Sequence, residues 1–575
     1  MIKRRMMPMI YINRDHKVFS NSYESQNGIV TGTAFIGYRS LYGEDFLNYV
    51  SSWETEEEWK QGLLDLNGFF AIIISKNNKV FVAVDRIRSL PLFYGLHEGN
   101  LFISNDARWV RDQVGDKEMD PLAKEEFLLT GFVVGPDTLF PKVKQVQAGE
   151  VVFFSREDDG KVRVEPQRYY RYLHSNYYKE TEEELQRMFD DVLQNVFQRL
   201  VTYAHGRTIV VPLSGGYDSR LIVLMLKRLG YENVIAFSYG RPGNEEAEIS
   251  RFVAGKLGIR WEFVPYSNKL WYEWYRSPEM KAYFEFADNL ASLPHIQDWP
   301  AVKVLKQEKR IPDDSIFVPG IAADLNTGGF IEKYPKIYST KARKEDLVRL
   351  IEDYSYSLYP LKSVPIETQT AIRKRIDMVI GGYPYGEPWG ESFECWVSTE
   401  KVAKFVLNSV RVYEFFGYDW WTPFWDKEFV DFLYNVPDEL RSKQRLYKSL
   451  IKELSEDLGF NEGIDPLFRD GNIKFKLSKL LGCPISPQVM FEKQMIKIAK
   501  RVLPEKVKNR LRKIREIHSF KKHPMAWYGI HEDGDVQEKI RNGATMINSL
   551  LAMDYIEFLS SRSAERFNRL LNGPC

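Results

Sequence analysis

From residue 1 to about residue 175 the chain alternates short apolar runs with turn residues. GIVTGTAFIG, GFFAIIIS, KVFVAVDRI, PLFYGL, NLFISN and EVVFFS are rich in β-branched and aromatic residues, which predicts strands. EEEWKQGLLDL predicts a helix among them, and the tyrosine-rich RYYRYLHSNYYKE reads as a linker. Thr181 and Glu184 then have capping-box spacing, and Leu185, Phe189, Val192, Val196 and Leu200 recur at the helical period. From Thr208 the pattern changes. An apolar run to Leu213, a helical DSRLIVLMLKRLG, apolar NVIAFSYG, helical NEEAEISRFVAGKLG and apolar WEFVPY predict a doubly wound α/β unit with a parallel sheet. Beyond about residue 268 the chain reads as mostly helical. The pattern divides the chain into a β-rich α+β unit at 1–178, an α/β unit at 179–480 and a helical extension at 481–575.

The most informative stretch is VVPLSGGYDSR, Val210 to Arg220. A strand that ends in a glycine turn and opens a helix aims backbone N–H groups at one point, which suits phosphate. Gly215 and Gly216 allow close approach, and Ser214 and Ser219 can donate hydroxyl hydrogen bonds. Asp218 beside phosphates requires a cation between them, and Mg²⁺, with its oxygen ligands, fits. No Gly-Lys-Ser/Thr follows, so this is not a Walker A loop. An ordinary strand–turn–helix is the bland alternative.

The loop resembles that of the ATP pyrophosphatases, and with it the chain resembles the asparagine synthetase family to about residue 455. LSGGYDS, Leu213 to Ser219, is similar to the segment that grips ATP phosphates, and FSYG, with Ser238 and Tyr239, to the strand end that reads adenine. GIAADLNTGGF, Gly320 to Phe330, is similar to the family's second loop, which implies Asp324 as a second magnesium carboxylate beside Asp218. GYDWWTPFWD, Gly417 to Asp426, resembles the acceptor segment. LNGFFAIII, Asp85-Arg86, PLFY and FISND look like the family's glutaminase domain. The resemblance implies an N-terminal-nucleophile αββα sandwich followed by an ATP-pyrophosphatase domain with a helical C-terminal part. It implies ATP as substrate, Mg²⁺, and transfer of an adenylated carboxylate to an amine.

The departures shape the expected function. The glutaminase reaction needs an N-terminal cysteine, and the first cysteine here is Cys395. The first unit is therefore expected to be inactive, with free ammonia or a substrate amine as nitrogen source, as in the related β-lactam synthetases and lasso-peptide cyclases. Asp419 stands where the family has Glu, Trp421 where it has Arg, and Ile321 where β-lactam synthetases carry tyrosine. Asp419 is expected to handle the amine, with a helix-end or structural carboxylate as the alternative. Trp420 and Trp421 would suit a sugar ring or a larger apolar group, or pack in the core. A charge-stabilising lysine is expected after Pro466, with Lys474 first and Lys476 second. The acceptor is expected to be a small-molecule, sugar or peptide carboxylate. Ordinary asparagine formation and a tRNA-modifying pyrophosphate-loop enzyme are the rival readings, and a binding protein without catalysis is a third.

Bulk composition adds little. The chain has 575 residues and a formal net charge of +1, so overall charge gives no reason to expect nucleic acid as a partner. Three cysteines are too few for a disulfide framework, no apolar run reaches a membrane span, and a cytoplasmic location is expected. Lys493 to Lys522 includes a dense run of basic residues, which reads as a solvated helix face or a seat for an anionic ligand.

Overall fold

The computed structural model describes residues 10–12, 22–26, 28–76, 79–157, 161–174, 176–383, 389–458, 517, 520–541, 544 and 547–560. The first unit holds β1 (Ile10–Ile12), β2 (Ser22–Ser25), β3 (Gly28–Ile36), β4 (Arg39–Leu41), β5 (Asn67–Lys76), β6 (Lys79–Val84), β7 (Phe93–His97), β8 (Asn100–Ser104), β9 (Lys144–Gln145), β10 (Glu150–Arg156) and β11 (Val162–Arg168). They form two sheets, one ordered β11-β10-β6-β5-β3-β2 with β4 on β3, the other β1-β8-β7-β9. Helices α1 (Gly43–Ser51) and α2 (Glu56–Asp65) cover one face of the larger sheet, where Phe46, Trp59 and Leu63 join Val30, Phe70, Ile72 and Phe153. Its other face turns Phe69, Ala71, Ile73 and Phe154 toward Phe93, Leu101 and Ile103 of the smaller sheet. Burial on both faces explains why β5 reads as a continuous apolar run rather than an alternation. Helix α3 (Ala107–Gln113) packs on β7 and β8, and α4 (Pro121–Thr130) follows it.

In the second unit α5 (Glu182–Ala204) opens with the predicted Thr181–Glu184 capping box and buries Leu185, Phe189, Val192, Val196 and Leu200. The predicted alternation appears as β12 (Ile209–Pro212), α6 (Tyr217–Arg228), β13 (Val234–Gly240), α7 (Glu245–Leu257) and β14 (Arg260–Pro265). With β15 (Ile316–Phe317) and β16 (Asp419–Trp420) they make a five-stranded sheet ordered β14-β13-β12-β15-β16. All four pairings are parallel. The chain winds outward from β12 to β14, then returns to β12's other side, so the winding direction reverses between β12 and β15.

The two units share one interior. Trp421 packs edge-on against Phe35 and Phe69 at 5.8 and 4.7 Å. Asn67 donates to Asp426 at 3.1 Å, and Asp426 also takes the Arg199 guanidinium at 2.7 Å. Arg86 pairs with Asp431 at 3.0 Å. The tyrosine-rich stretch is not the solvated linker its polarity suggests. Tyr169, Tyr172 and His174 are buried, with the two phenols donating to the Val84 and Arg86 carbonyls, which satisfies the polar tip while the ring is buried.

The described part of the C-terminal extension is likewise built into the core rather than appended to it. The Trp271 indole of α8 (Asn268–Tyr275) donates to the Met525 carbonyl at 2.6 Å, and Tyr275 donates to Asp554 at 2.8 Å. Arg241, just past β13, donates its backbone N–H to the Pro524 carbonyl and its guanidinium to the His523 carbonyl. The helix Ile547–Leu559 reaches back to α4, where Tyr555 meets Phe127 at 5.2 Å. No described helix is long and apolar enough to cross a membrane.

Candidate functional site

In open parallel sheets, ligands bind beyond the carboxyl ends of the strands, where the winding reverses. Here that point lies between β12 and β15, and the loops leaving these two strands carry SGGYDS and GIAADLNTGG. The first loop is braced from within. The Ser214 backbone N–H donates to the Ser219 hydroxyl at 3.0 Å, and the Gly216 N–H donates to the Ser214 hydroxyl at 3.1 Å. The Arg220 guanidinium caps the Gly215 carbonyl at 3.4 Å. Helix α6 starts at Tyr217, and its N-cap, Gly216, makes no side-chain cap hydrogen bond.

The second loop lies against the first. A Cβ on Gly320 would sit 3.0 Å from both the Asp218 Cβ and the Ser219 backbone nitrogen, so only glycine lets the loops approach this closely. The Ala323 N–H reaches the Asp218 carboxylate, and Tyr447 donates to it at 3.0 Å. Burial, and next the charge of Asp324, push the Asp218 pKa up to about 7. Asp324 is raised too, chiefly by burial. Among the described residues neither carboxylate forms an ion pair with a lysine or arginine, and no group of three or more metal-ligating side chains forms. Two buried, neighbouring carboxylates with no lysine or arginine in contact form a hard-oxygen donor set that fits Mg²⁺.

Backbone strain gathers here. Ala322 is left-handed at φ 53°, as are Lys443 and Gln444 at φ 59° and 57°. Gln444 donates to Thr327 at 2.8 Å and opens the helix Arg445–Asp457, which carries Tyr447. Such conformations cost about 1–3 kcal/mol each and persist where the surroundings enforce them.

Of the expected nucleotide residues, Leu213, Ser214, Gly215, Gly216, Asp218, Ser219 and Gly320 all belong to these two loops. Ser238 and Tyr239 lie in the neighbouring strand β13. The Tyr239 side chain is turned inward, where it donates to Asp298 and stacks on Tyr266, so only its backbone is left for a base. Asp419 is not brought to the carboxylate pair. It shares a row with Ile316 and Ile209, four residues before Leu213 and so roughly 13 Å down the sheet. There it pairs with Arg207 at 2.6 Å. Trp420 and Trp421 are core residues, and Trp421 contacts Phe35, Phe69 and Tyr203. Lys474 and Lys476 lie outside the described residues, as does most of the basic run. Tyr447 was not foreseen, because 229 residues separate it from Asp218.

Comparison with known proteins gives two family matches. Residues 53–170 match the glutamine amidotransferase domain, and residues 191–277 match asparagine synthase. The two occur in the order in which the glutaminase-like and phosphate-loop segments occur here. In both segments and in their order the chain is similar to the asparagine synthetases. It is 26% identical over 270 residues to asparagine synthetase [glutamine-hydrolyzing] 1 of Bacillus subtilis, covering 46% of this chain and 40% of that protein. It is 26% identical over 219 residues to a probable asparagine synthetase [glutamine-hydrolyzing] of Acanthamoeba polyphaga mimivirus, covering 36% of each. The chain thus matches about two fifths or less of the length of these relatives. Among solved structures, the NH3-dependent NAD synthetase from Campylobacter jejuni matches at 14% identity, over 36% of this chain and 99% of that one, with a TM-score of 0.19. The glutamine phosphoribosylpyrophosphate amidotransferase from B. subtilis matches at 11%, over 68% and 81%, with a TM-score of 0.18. Scores this low carry no argument about the fold.

Proposed function

We propose that the chain is an ATP-dependent ligase that adenylates a carboxylate and passes the acyl group to ammonia or a substrate amine. The observation that carries this reading is the approach of Asp218 to Asp324 where β12 and β15 diverge, beside the uncapped start of α6. Ser214, Gly215, Gly216 and Ser219 would hold the β and γ phosphates through backbone N–H groups and hydroxyls. A divalent cation held by Asp218 and Asp324 would supply counter-charge to the phosphate oxygens. The acceptor carboxylate oxygen attacks the α-phosphorus, the bond to the β-phosphate oxygen breaks, and pyrophosphate leaves. The amine nitrogen then attacks the acyl carbon, AMP departs with the bonding pair, and the nitrogen gives up a proton. Lys474 remains our candidate for the cation that offsets the developing charge.

We also infer that the first unit, an N-terminal-nucleophile fold by family, supplies no thiol. The first cysteine in the sequence, Cys395, is fully buried, and burial pushes its thiol up to about 11. Product analysis tests the main reading. With ATP, Mg²⁺, ammonia and a panel of carboxylates that includes aspartate and uronic acids, AMP and pyrophosphate are expected. ADP and phosphate would overturn it.

A further inference from the structure

Beyond Asp324 the chain enters the short helix Gly329–Lys333. Its Phe330 and Tyr334 rings join Tyr354 and Phe393, with Phe330 at 5.4 Å and Phe393 at 5.5 Å from Tyr354. Two lysines converge on this cluster. The Lys333 Nζ lies 5.2 Å from the Tyr334 ring centre and 5.7 Å from that of Tyr354. The Lys401 Nζ lies 3.8 Å from the Tyr354 ring centre and donates to the Tyr354 carbonyl at 2.9 Å. Lys401 sits in a π-helical stretch, Val397–Val406, a distortion often found at functional sites.

Among the described residues neither lysine pairs with a carboxylate. Lys404, one turn further on, shows how this chain treats a structural buried lysine. It pairs with Glu400 at 2.5 Å and donates to the Val133 and Gly135 carbonyls. Lys401 has one carbonyl and a second cation nearby. Burial, then the charge of Lys333, push its pKa down to about 8. Lys401 is half-buried with a second cation nearby, so an anion joining it from the exposed side, where Lys333 lies, would offset its burial. The pair is tied to the site through Asp324 and Tyr354. The charge of Lys333 bears on Asp324.

We propose that Lys333 and Lys401 form a subsite for a second anionic group, a phosphate ester or a further carboxylate, carried by the acceptor. This rests on the ligase reading and narrows its substrate class. The acceptor would present one carboxylate for adenylation and a second anion to the lysines, with Tyr354 as the apolar wall between them.

Binding of inorganic phosphate to the full chain tests this, with the phosphate loop first saturated by Mg²⁺ and a non-hydrolysable ATP analogue. Calorimetry on the loaded wild type should find a phosphate site. Lys401→Met or Lys333→Met should weaken it roughly tenfold, and Lys401→Arg should keep it. Affinity for the ATP analogue and the melting temperature should stay at wild-type values in all three, which a merely structural role for Lys401 would not allow. Absence of a phosphate site in the loaded wild type, or equal phosphate binding in both Met variants, overturns the inference. Failure of the wild type to bind the ATP analogue would instead count against the ligase reading. The phosphate titration of wild type and variants without analogue would still read the lysines.

Discussion

Replacing Asp218 by Asn should stabilise the metal-free protein while abolishing its turnover. In the fold the Asp218 carboxyl titrates near 7 rather than at its ordinary 3.8, because it is buried beside Asp324. A folded pKa above the unfolded one means that the folded state holds its proton more tightly. Stability from this group is present at low pH and is lost as pH rises from about 4 to about 7. The full shift of about three units would correspond to about 4 kcal/mol. The side chain is only partly buried by surface area, and solvent screening reduces this to about 1–2 kcal/mol. Asn keeps the shape and an oxygen for Tyr447 but carries no charge, so the cost disappears. Denaturant unfolding of EDTA-treated wild type and Asp218→Asn should therefore coincide near pH 4.5. By pH 8 the curves should separate, with the variant more stable by about 1–2 kcal/mol. Comparing the two proteins at each pH cancels the titrating groups remote from Asp218, among them Asp85 and Glu414, which burial raises to about 6 and about 7. A variant no more stable than wild type at pH 8, or a difference that does not change with pH, would refute the argument.

Gly320→Ala should cut pyrophosphate release by roughly a hundredfold, because its Cβ would press on Asp218 and Ser219 and shift the two loops apart; near-normal turnover would show that the loops tolerate the displacement. Arg199→Ala should cost about 3–5 kcal/mol in chemical denaturation, since it leaves the buried Asp426 carboxylate without its guanidinium. Cys395 should resist thiol reagents in the native protein and react only on unfolding, as mass spectrometry of labelled peptides would reveal. Purified protein should release no glutamate from glutamine, and substantial release would show that the first unit is not inert.

The α/β half was legible because its signals are local and long. The strand–turn–helix around SGGYDS, the cap at Thr181 and the apolar stripe of α5 each follow from a period or a spacing within one element. What escaped depends on register and distance. Strands β15 and β16 have two residues each, too few to show a period, so the row that places Asp419 beside Arg207 could not be read. Tyr447 reaches Asp218 only because the left-handed pair Lys443–Gln444 turns the next helix toward the loop. Lys333 and Lys401 look like ordinary polar positions until packing brings them over one tyrosine ring. The tyrosine-rich stretch misled because polarity was read from whole residues, whereas each phenol buries its ring and satisfies only its hydroxyl.

The clasp between Arg241 and the segment around Pro524 has a consequence for biosynthesis. The two partners lie 282 residues apart, so a ribosome adding roughly 5–20 residues per second needs about 15–60 s to make the second after the first. During that interval strand β13 exists but its carboxyl end has no cover, and α8 lacks the carbonyl its Trp271 indole requires. The phosphate loop can form early from local sequence, whereas the neighbouring strand end is finished only when the residues around Pro524 have emerged. A chain truncated before residue 520 would carry the SGGYDS loop without this cover, so an intact strand end would mark a chain made at least as far as Met525.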